Sequence, residues 1–254
     1  SPNLDGQLST ANRGNNAIVF VVDTGIANNS EFAGRLRTGY SAINDGNGTV
    51  DCQGHGTHVA STAAGTSYGV ATDALVVPVR VLDCLGSGFT SGILAGLNFV
   101  ANYPLNGKRA VVNMSLGGGA SDILDNAVAE LVSLGITVVV AAGNDSTLAC
   151  EVSPARESTA ITVGATDNTD TRAFFSNYGS CVDIFAPGYD IEGASIDPTY
   201  DSVSKSGTSM ASPHVAGAAA IALTTFPSAS PARVINLLIS DATVGVVNDA
   251  GAGS

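Results

Sequence analysis

The chain has 254 residues, 44% of them hydrophobic and 13% charged, with a formal net charge of −12. That is enough for one large α/β domain with a substantial core. The acids are scattered, and the basic footprint needed for nucleic acid or an anionic membrane is missing; no apolar run is long enough to span a bilayer.

In chain order, residues 1–16 are polar and aperiodic and read as a surface segment. Nothing at Ser1 has the basic-then-apolar pattern of a secretion signal, so the chain reads as a mature or trimmed form. Ala17 to Val22 is a continuous apolar run, the mark of a parallel strand covered on both faces, and it ends in Asp23-Thr24-Gly25. Open α/β sheets place ligand chemistry at such a carboxyl end. Residues 41–51 form a loop rich in Asn, Asp and Gly; Asp45 and Asp51 could meet a cation, but turn composition accounts for them. Gly54-His55-Gly56-Thr57-His58 opens a helix that runs to about Gly65, with His55 at its mouth and His58 structural in its first turn.

Ala74 to Leu82 is a strand in which Pro78 points to an edge position or an irregularity. A small-residue segment, Gly86-Ser87-Gly88, and a helix over 90–102 follow. Ala110 to Leu116 is a strand, and Gly117-Gly118-Gly119 after it lacks the spacing of a dinucleotide or phosphate loop. Ser121 caps an amphipathic helix that stops at Gly135. Strands at 136–140, 159–163 and 182–185 precede an almost wholly apolar, hence buried, helix that begins near Ser209, with Pro213 expected in its first turn. A last amphipathic helix covers 230–240. The alternation predicts a doubly wound, mainly parallel α/β sheet with helices on both faces, and no linker divides residues 1–254.

A serine before a helix is ordinarily an N-cap, so a chemical role for Ser209 depends on partners. The histidines are His55, His58 and His214. His214 lies on the Ser209 helix and points away from its start, whereas His55 can act as base and Asp23 can hold its other nitrogen. The order Asp, His, Ser differs from that of α/β-hydrolases, and Gly207-Thr208-Ser209-Met210-Ala211 lacks their second glycine. Asn144, after a strand end, carries an amide donor. Cys52, Cys84, Cys150 and Cys181 contain no C-x-x-C pair, which disfavours zinc, and they allow two disulfides in any of three connectivities.

Val22-Asp23-Thr24-Gly25, His55-Gly56-Thr57-His58-Val59-Ala60 and Gly207-Thr208-Ser209-Met210-Ala211-Ser212-Pro213-His214 resemble the three signature blocks of the subtilisin-like serine proteases. Ser115–Gly119, Ala141–Asn144, Ser153–Ala155 and Phe175–Gly179 narrow the resemblance to the proteinase K-like branch, and the cysteines to its bacterial aqualysin-type members. One departure is Ser61, where the family usually has Gly.

The resemblance implies a serine endopeptidase with Ser209 as nucleophile, His55 as base, Asp23 as its orienting acid, and Asn144 with the Ser209 N–H as oxyanion hole. It implies that substrate backbone pairs with Gly86, Ser87, Gly88 and with Ser115, Leu116, Gly117. The pocket for the residue before the cleaved bond would lie near Leu116–Gly118 and Ala141–Gly143; those stretches hold no charged residue, so apolar and aromatic side chains are expected there. Also implied are bridges Cys52–Cys84 and Cys150–Cys181, and a structural calcium held by the carbonyls of Ser158 and Ala160 and the carboxylate of Asp183. Secretion, a monomeric state, and an inhibitory N-terminal prosegment whose removal leaves Ser1 are further expectations. The competing readings are a catalytically silent peptide-binding relative, a dedicated esterase and a nucleotide-binding module; the esterase should lack the two glycine-rich edges, and the last lacks phosphate motifs.

Overall fold

The computed structural model describes residues 12–251, so the expected surface segment at residues 1–16 falls mostly outside the described residues. In chain order the elements are β1 (Ala17–Asp23), β2 (Tyr40–Ser41), α1 (His55–Ala64), β3 (Leu75–Arg80), α2 (Thr90–Ala101), β4 (Arg109–Met114), β5 (Gly118–Gly119) and α3 (Asp122–Ser133). There follow β6 (Thr137–Ala141), β7 (Val152–Ser153), β8 (Ile161–Thr166), β9 (Ile184–Pro187), β10 (Ile191–Ala194), β11 (Ser202–Lys205), α4 (Thr208–Thr225) and α5 (Pro231–Asp241). Seven strands form one sheet in the order β2-β3-β1-β4-β6-β8-β9, and every pairing in it is parallel.

Parallel strands need both faces covered, and β1 shows how one strand serves two layers. Ala17, Val19 and Val21 pack with Val59 of α1, Val215 and Ala219 of α4 and Val234 of α5. Ile18, Phe20 and Val22 point the other way, toward Leu97 of α2 and Val128 of α3. The period of two thus places α1, α4 and α5 on one face and α2 and α3 on the other.

Pro78 sits within β3, beside Val21 of β1. Its neighbour two back, Val76, donates its N–H outward to Arg35. By alternation the missing N–H of Pro78 also faces outward, where β2 is only two residues long. Pro213 is not in the first turn of its helix, as expected above, but six residues in, within α4. It removes the donor that would bond the Ser209 carbonyl. That carbonyl instead accepts a hydrogen bond from Ser115 Oγ at 2.8 Å, tying α4 to the end of β4.

The chain leaves β1 toward β3 on one side and returns to β4 on the other, so the direction of winding reverses between β1 and β4. Doubly wound sheets open a crevice at the carboxyl ends of such a pair. Asp23 ends β1 and Ser115 follows β4.

The antiparallel hairpin β10–β11 lies outside the main sheet and is not legible in the sequence. Its anchor is α1. His58 is buried with Nε2 2.9 Å from the Ile191 carbonyl and 3.1 Å from that of Val203, and Ser61 Oγ accepts the Ala194 N–H at 2.8 Å. Gly193 lies so close to the imidazole that a Cβ there would sit 2.7 Å from Nε2. Disulfides join Cys52 to Cys84 and Cys150 to Cys181, the pairing the resemblance implies.

Candidate active site

Asp23 is fully buried, and His55 is the first residue of α1. His55 Nδ1 lies 2.8 and 3.0 Å from the two Asp23 carboxylate oxygens, so the imidazole carries its proton on Nδ1 and leaves Nε2 free. Burial pulls the His55 pKa down, but the charge of Asp23 and its hydrogen bond outweigh this, and the net shift is upward from 6.5.

A buried acid fixes this geometry. Asp51 accepts the N–H groups of Gln53, Gly54 and Thr57 and the hydroxyls of Thr24 and Thr57. It thereby supplies the N-terminal cap of α1, whose preceding residue, Gly54, has no side chain to do so. Thr24 closes the link by accepting the Gly56 N–H. Asp45 is engaged elsewhere: its carboxylate takes both Arg80 Nη atoms at 2.7 and 2.6 Å. Asp45, Cys52 and Cys84 lie together, but the two sulfurs are bonded to each other and offer no thiolate to a metal.

Ser209 is the second residue of α4, where the backbone N–H has no intrahelical acceptor. Its Oγ donates to the Ser115 carbonyl at 3.2 Å, and no hydrogen bond joins it to His55 in this conformation. Asn144 presents its amide beside it. Asn144 Oδ1 accepts both the N–H and the hydroxyl of Thr208, at 2.8 and 2.9 Å. That fixes which end is oxygen, and Nδ2 donates to no described group. Asn177 is fully buried and shapes the Asn144 loop: it donates to the Ala142 carbonyl and accepts from the N–H groups of Asp145 and Thr147. Gly143 adopts a φ of 103°, and a Cβ there would meet Asn177 Nδ2 at 2.3 Å.

Two adjoining clefts flank these groups. One is lined by His55, Gly86, Ser87, Gly88, Ser115 and Leu116, and the other by Gly117, Ala141, Gly143, Asn144, Val152 and Ser209. The substrate-binding residues proposed from sequence therefore fall along one continuous groove. Sequence reasoning missed Val152, Ser153 and the exposed Asp145 at its wall, together with Thr208 and Asn177 behind it. Thr208 could have been suspected from its place beside Ser209; the link between Asn177 and Asn144 is tertiary and leaves no local signal.

Ser158, Ala160 and Asp183 lie apart from the groove, around the start of β8. One Asp183 oxygen accepts the Thr162 N–H at 2.8 Å, and the Asp183 N–H donates back to Thr162 at 2.9 Å. Among the described residues no cationic side chain forms an ion pair with Asp183.

The sequence profile of the subtilase family matches residues 14–253. The chain is 53% identical over 249 residues to the extracellular serine proteinase of Thermus sp. (strain Rt41A), covering 98% of this chain and 60% of that one. It is 48% identical to alkaline serine exoprotease A of Vibrio alginolyticus, covering 97% of this chain and 46% of that one. Both relatives are thus considerably longer than this chain. The crystal structure of a cold adapted subtilisin-like serine proteinase superposes with a TM-score of 0.92 at 44% identity, covering 97% of this chain and 89% of the other. With its family signatures at the carboxyl ends of a parallel sheet, and with this extent of likeness, the chain belongs to the subtilase family.

Proposed function

We propose that the chain is a serine endopeptidase acting through an acyl-enzyme, with Ser209 as nucleophile, His55 as general base and Asp23 as the group that orients and stabilises the imidazolium. The observation that carries this reading is the pairing of His55 Nδ1 with both Asp23 oxygens at a groove that Ser209, at the start of α4, also lines. A rotation of the Ser209 side chain away from the Ser115 carbonyl directs Oγ to the free Nε2 of His55. Oγ attacks the scissile carbonyl as Nε2 takes its proton; the same proton then passes to the leaving amine, and water repeats the sequence in reverse. The oxyanion formed is met by Asn144 Nδ2 and the Ser209 N–H, donors that have no competing partner among the described residues.

The substrate's acyl half pairs as an added strand with the edges at Gly86–Gly88 and Ser115–Gly117. Its last side chain enters the cleft walled by Leu116, Ala141 and Val152, which favours apolar and aromatic residues before the cut bond. Asp145 stands exposed at the mouth, too close to solvent to demand a cation. The donor set of Ser158, Ala160 and Asp183 is all oxygen, with one carboxylate lacking a cationic partner, and this fits a structural calcium ion. Assignment to the proteinase K-like branch, a prosegment partner, secretion, a monomeric state and a single peptidase domain over 1–254 belong to the same proposal. No helix among the described residues is long and apolar enough to cross a membrane. The test is a panel of peptide anilides differing only in the residue before the cleaved bond. Phe and Leu are expected to exceed Lys and Asp in kcat/KM; a preference for Lys or Arg would overturn the pocket assignment.

A further inference from the structure

Asn144 stands on a loop, residues 142–148, that belongs to no strand or helix. The turn at 175–178 pins that loop on either side of Asn144. The Asn177 N–H donates to the Gly143 carbonyl at 3.0 Å, the Tyr178 N–H to the Thr147 carbonyl at 3.0 Å, and the Ser146 N–H to the Phe175 carbonyl at 2.9 Å. The Asn177 side chain adds its bonds to Ala142, Asp145 and Thr147. Thr208 sets how the Asn144 amide is turned, but where the loop stands depends on residues 175–178.

That turn is irregular too, and a guanidinium closes it. Arg172 Nη1 donates to the Ser176 carbonyl at 2.7 Å, and Nε donates to the Asp249 carbonyl at 2.8 Å. Nη2 reaches the exposed Asp249 carboxylate at 3.3 Å, and the guanidinium carbon lies 5.1 Å from the centre of the Tyr178 ring. The Arg172 side chain is only 11% exposed. Its backbone is held by the same segment: the Arg172 N–H donates to the Asn248 carbonyl at 3.0 Å, and the Asn248 N–H to the Asp170 carbonyl at 2.8 Å. Gly251 comes so close that a Cβ there would sit 2.6 Å from the Tyr178 Cβ. Residues 248–251 are thus a strap across Arg172 and Tyr178. Ser176 Oγ separately ties the turn to β8 by accepting the Ala165 N–H, so Arg172 sets where the turn sits rather than whether it forms. Arg172 lines neither cleft.

We propose that Arg172 is a positioning residue for the oxyanion donor. Clasped by the strap, it fixes the 175–178 turn, and through Asn177 it keeps Asn144 Nδ2 aimed at the point where the oxyanion forms. The proposal rests on the serine endopeptidase reading and on the place of Asn144 within it. A donor slightly out of place costs nothing in the ground state, which does not use it, and slows the step that does. The planar fork matters, because a point charge cannot meet the carbonyls of Ser176 and Asp249 in the same way.

The experiment is a double-mutant cycle between Arg172 and Asn144, read on a peptide anilide with Phe before the scissile bond and with rates expressed per active site titrated. Arg172→Met keeps the stem over Tyr178 and removes the fork. In the wild-type background it should lower kcat about five- to tenfold with KM within a factor of two. In the Asn144→Leu background, where no donor remains to be aimed, it should change kcat by less than about 1.5-fold. Arg172→Lys should show the same pattern at about two- to threefold, and it carries the test if Arg172→Met does not fold. The same loss in both backgrounds, a loss borne by KM, or no loss at all would overturn the proposal and leave the endopeptidase reading standing. Asn144→Leu with wild-type kcat would overturn the oxyanion assignment as well, and absence of cleavage by the wild type would overturn the endopeptidase reading itself.

Discussion

Asn144 and Ser209 owe their placement to neighbours that do no chemistry. The Asn144 amide is turned by two hydrogen bonds from Thr208, and its loop is braced by Asn177. Asn144→Leu should lower kcat by about a hundred- to a thousandfold with little change in KM, because its donor is used only once the oxyanion forms. Thr208→Val removes one of the two bonds that orient the amide and should cost only about fivefold. Steady-state kinetics on one anilide separates these outcomes, and a larger loss in Thr208→Val than in Asn144→Leu would contradict the assignment. At this scale the places of Asp23 at a strand end and of His55 and Ser209 at helix starts were legible because each lies in a short signature at an element boundary. Asn177 and Asp51 were not read as functional supports, because their partners are 30 or more and up to 27 residues away, respectively.

At the scale of elements, the long apolar strands and the buried α4 could be read from periodicity, whereas β10 and β11 could not. Each of these strands has four residues and few large apolar side chains, so its strand state depends on docking to α1 rather than on local preference. His58 carries that docking. It is buried and neutral, and desolvation lowers its pKa to about 4. Since the unfolded chain titrates near 6.5, it binds the extra proton between those values, and native stability falls as pH drops from 6.5 toward 4. The contribution lost is about 3 kcal/mol. His58→Gln keeps a donor for the Ile191 and Val203 carbonyls without a titrating group. Thermal unfolding across that window should therefore be flatter for His58→Gln than for wild type; parallel curves would show that His58 does not titrate with unfolding.

For the whole molecule, the winding reversal between β1 and β4 brings together residues far apart in sequence, and α4 closes the assembly through the middle of one layer. The fold class followed from the alternation of strands and helices. The two-residue pairing of β5 with β7, which frames one cleft, did not, because two glycines carry no strand signal. Calcium at Ser158, Ala160 and Asp183 would act on global stability, since an ion bound only by the folded chain shifts unfolding by mass action. Chelation, or Asp183→Ala in the presence of calcium, should lower Tm while kcat well below the transition stays within a factor of two. An unchanged Tm on chelation would remove calcium from the account.

The central claim is that Ser209 is a nucleophile activated by His55, and an aryl sulfonyl fluoride tests it most directly. Intact mass and peptide mapping should show one adduct on Ser209, none in Ser209→Ala, and a labelling rate that falls with acid through a pKa above 6.5, as expected where Asp23 holds the His55 pKa up. Labelling elsewhere, or a rate at Ser209 indifferent to His55→Ala, would contradict the account.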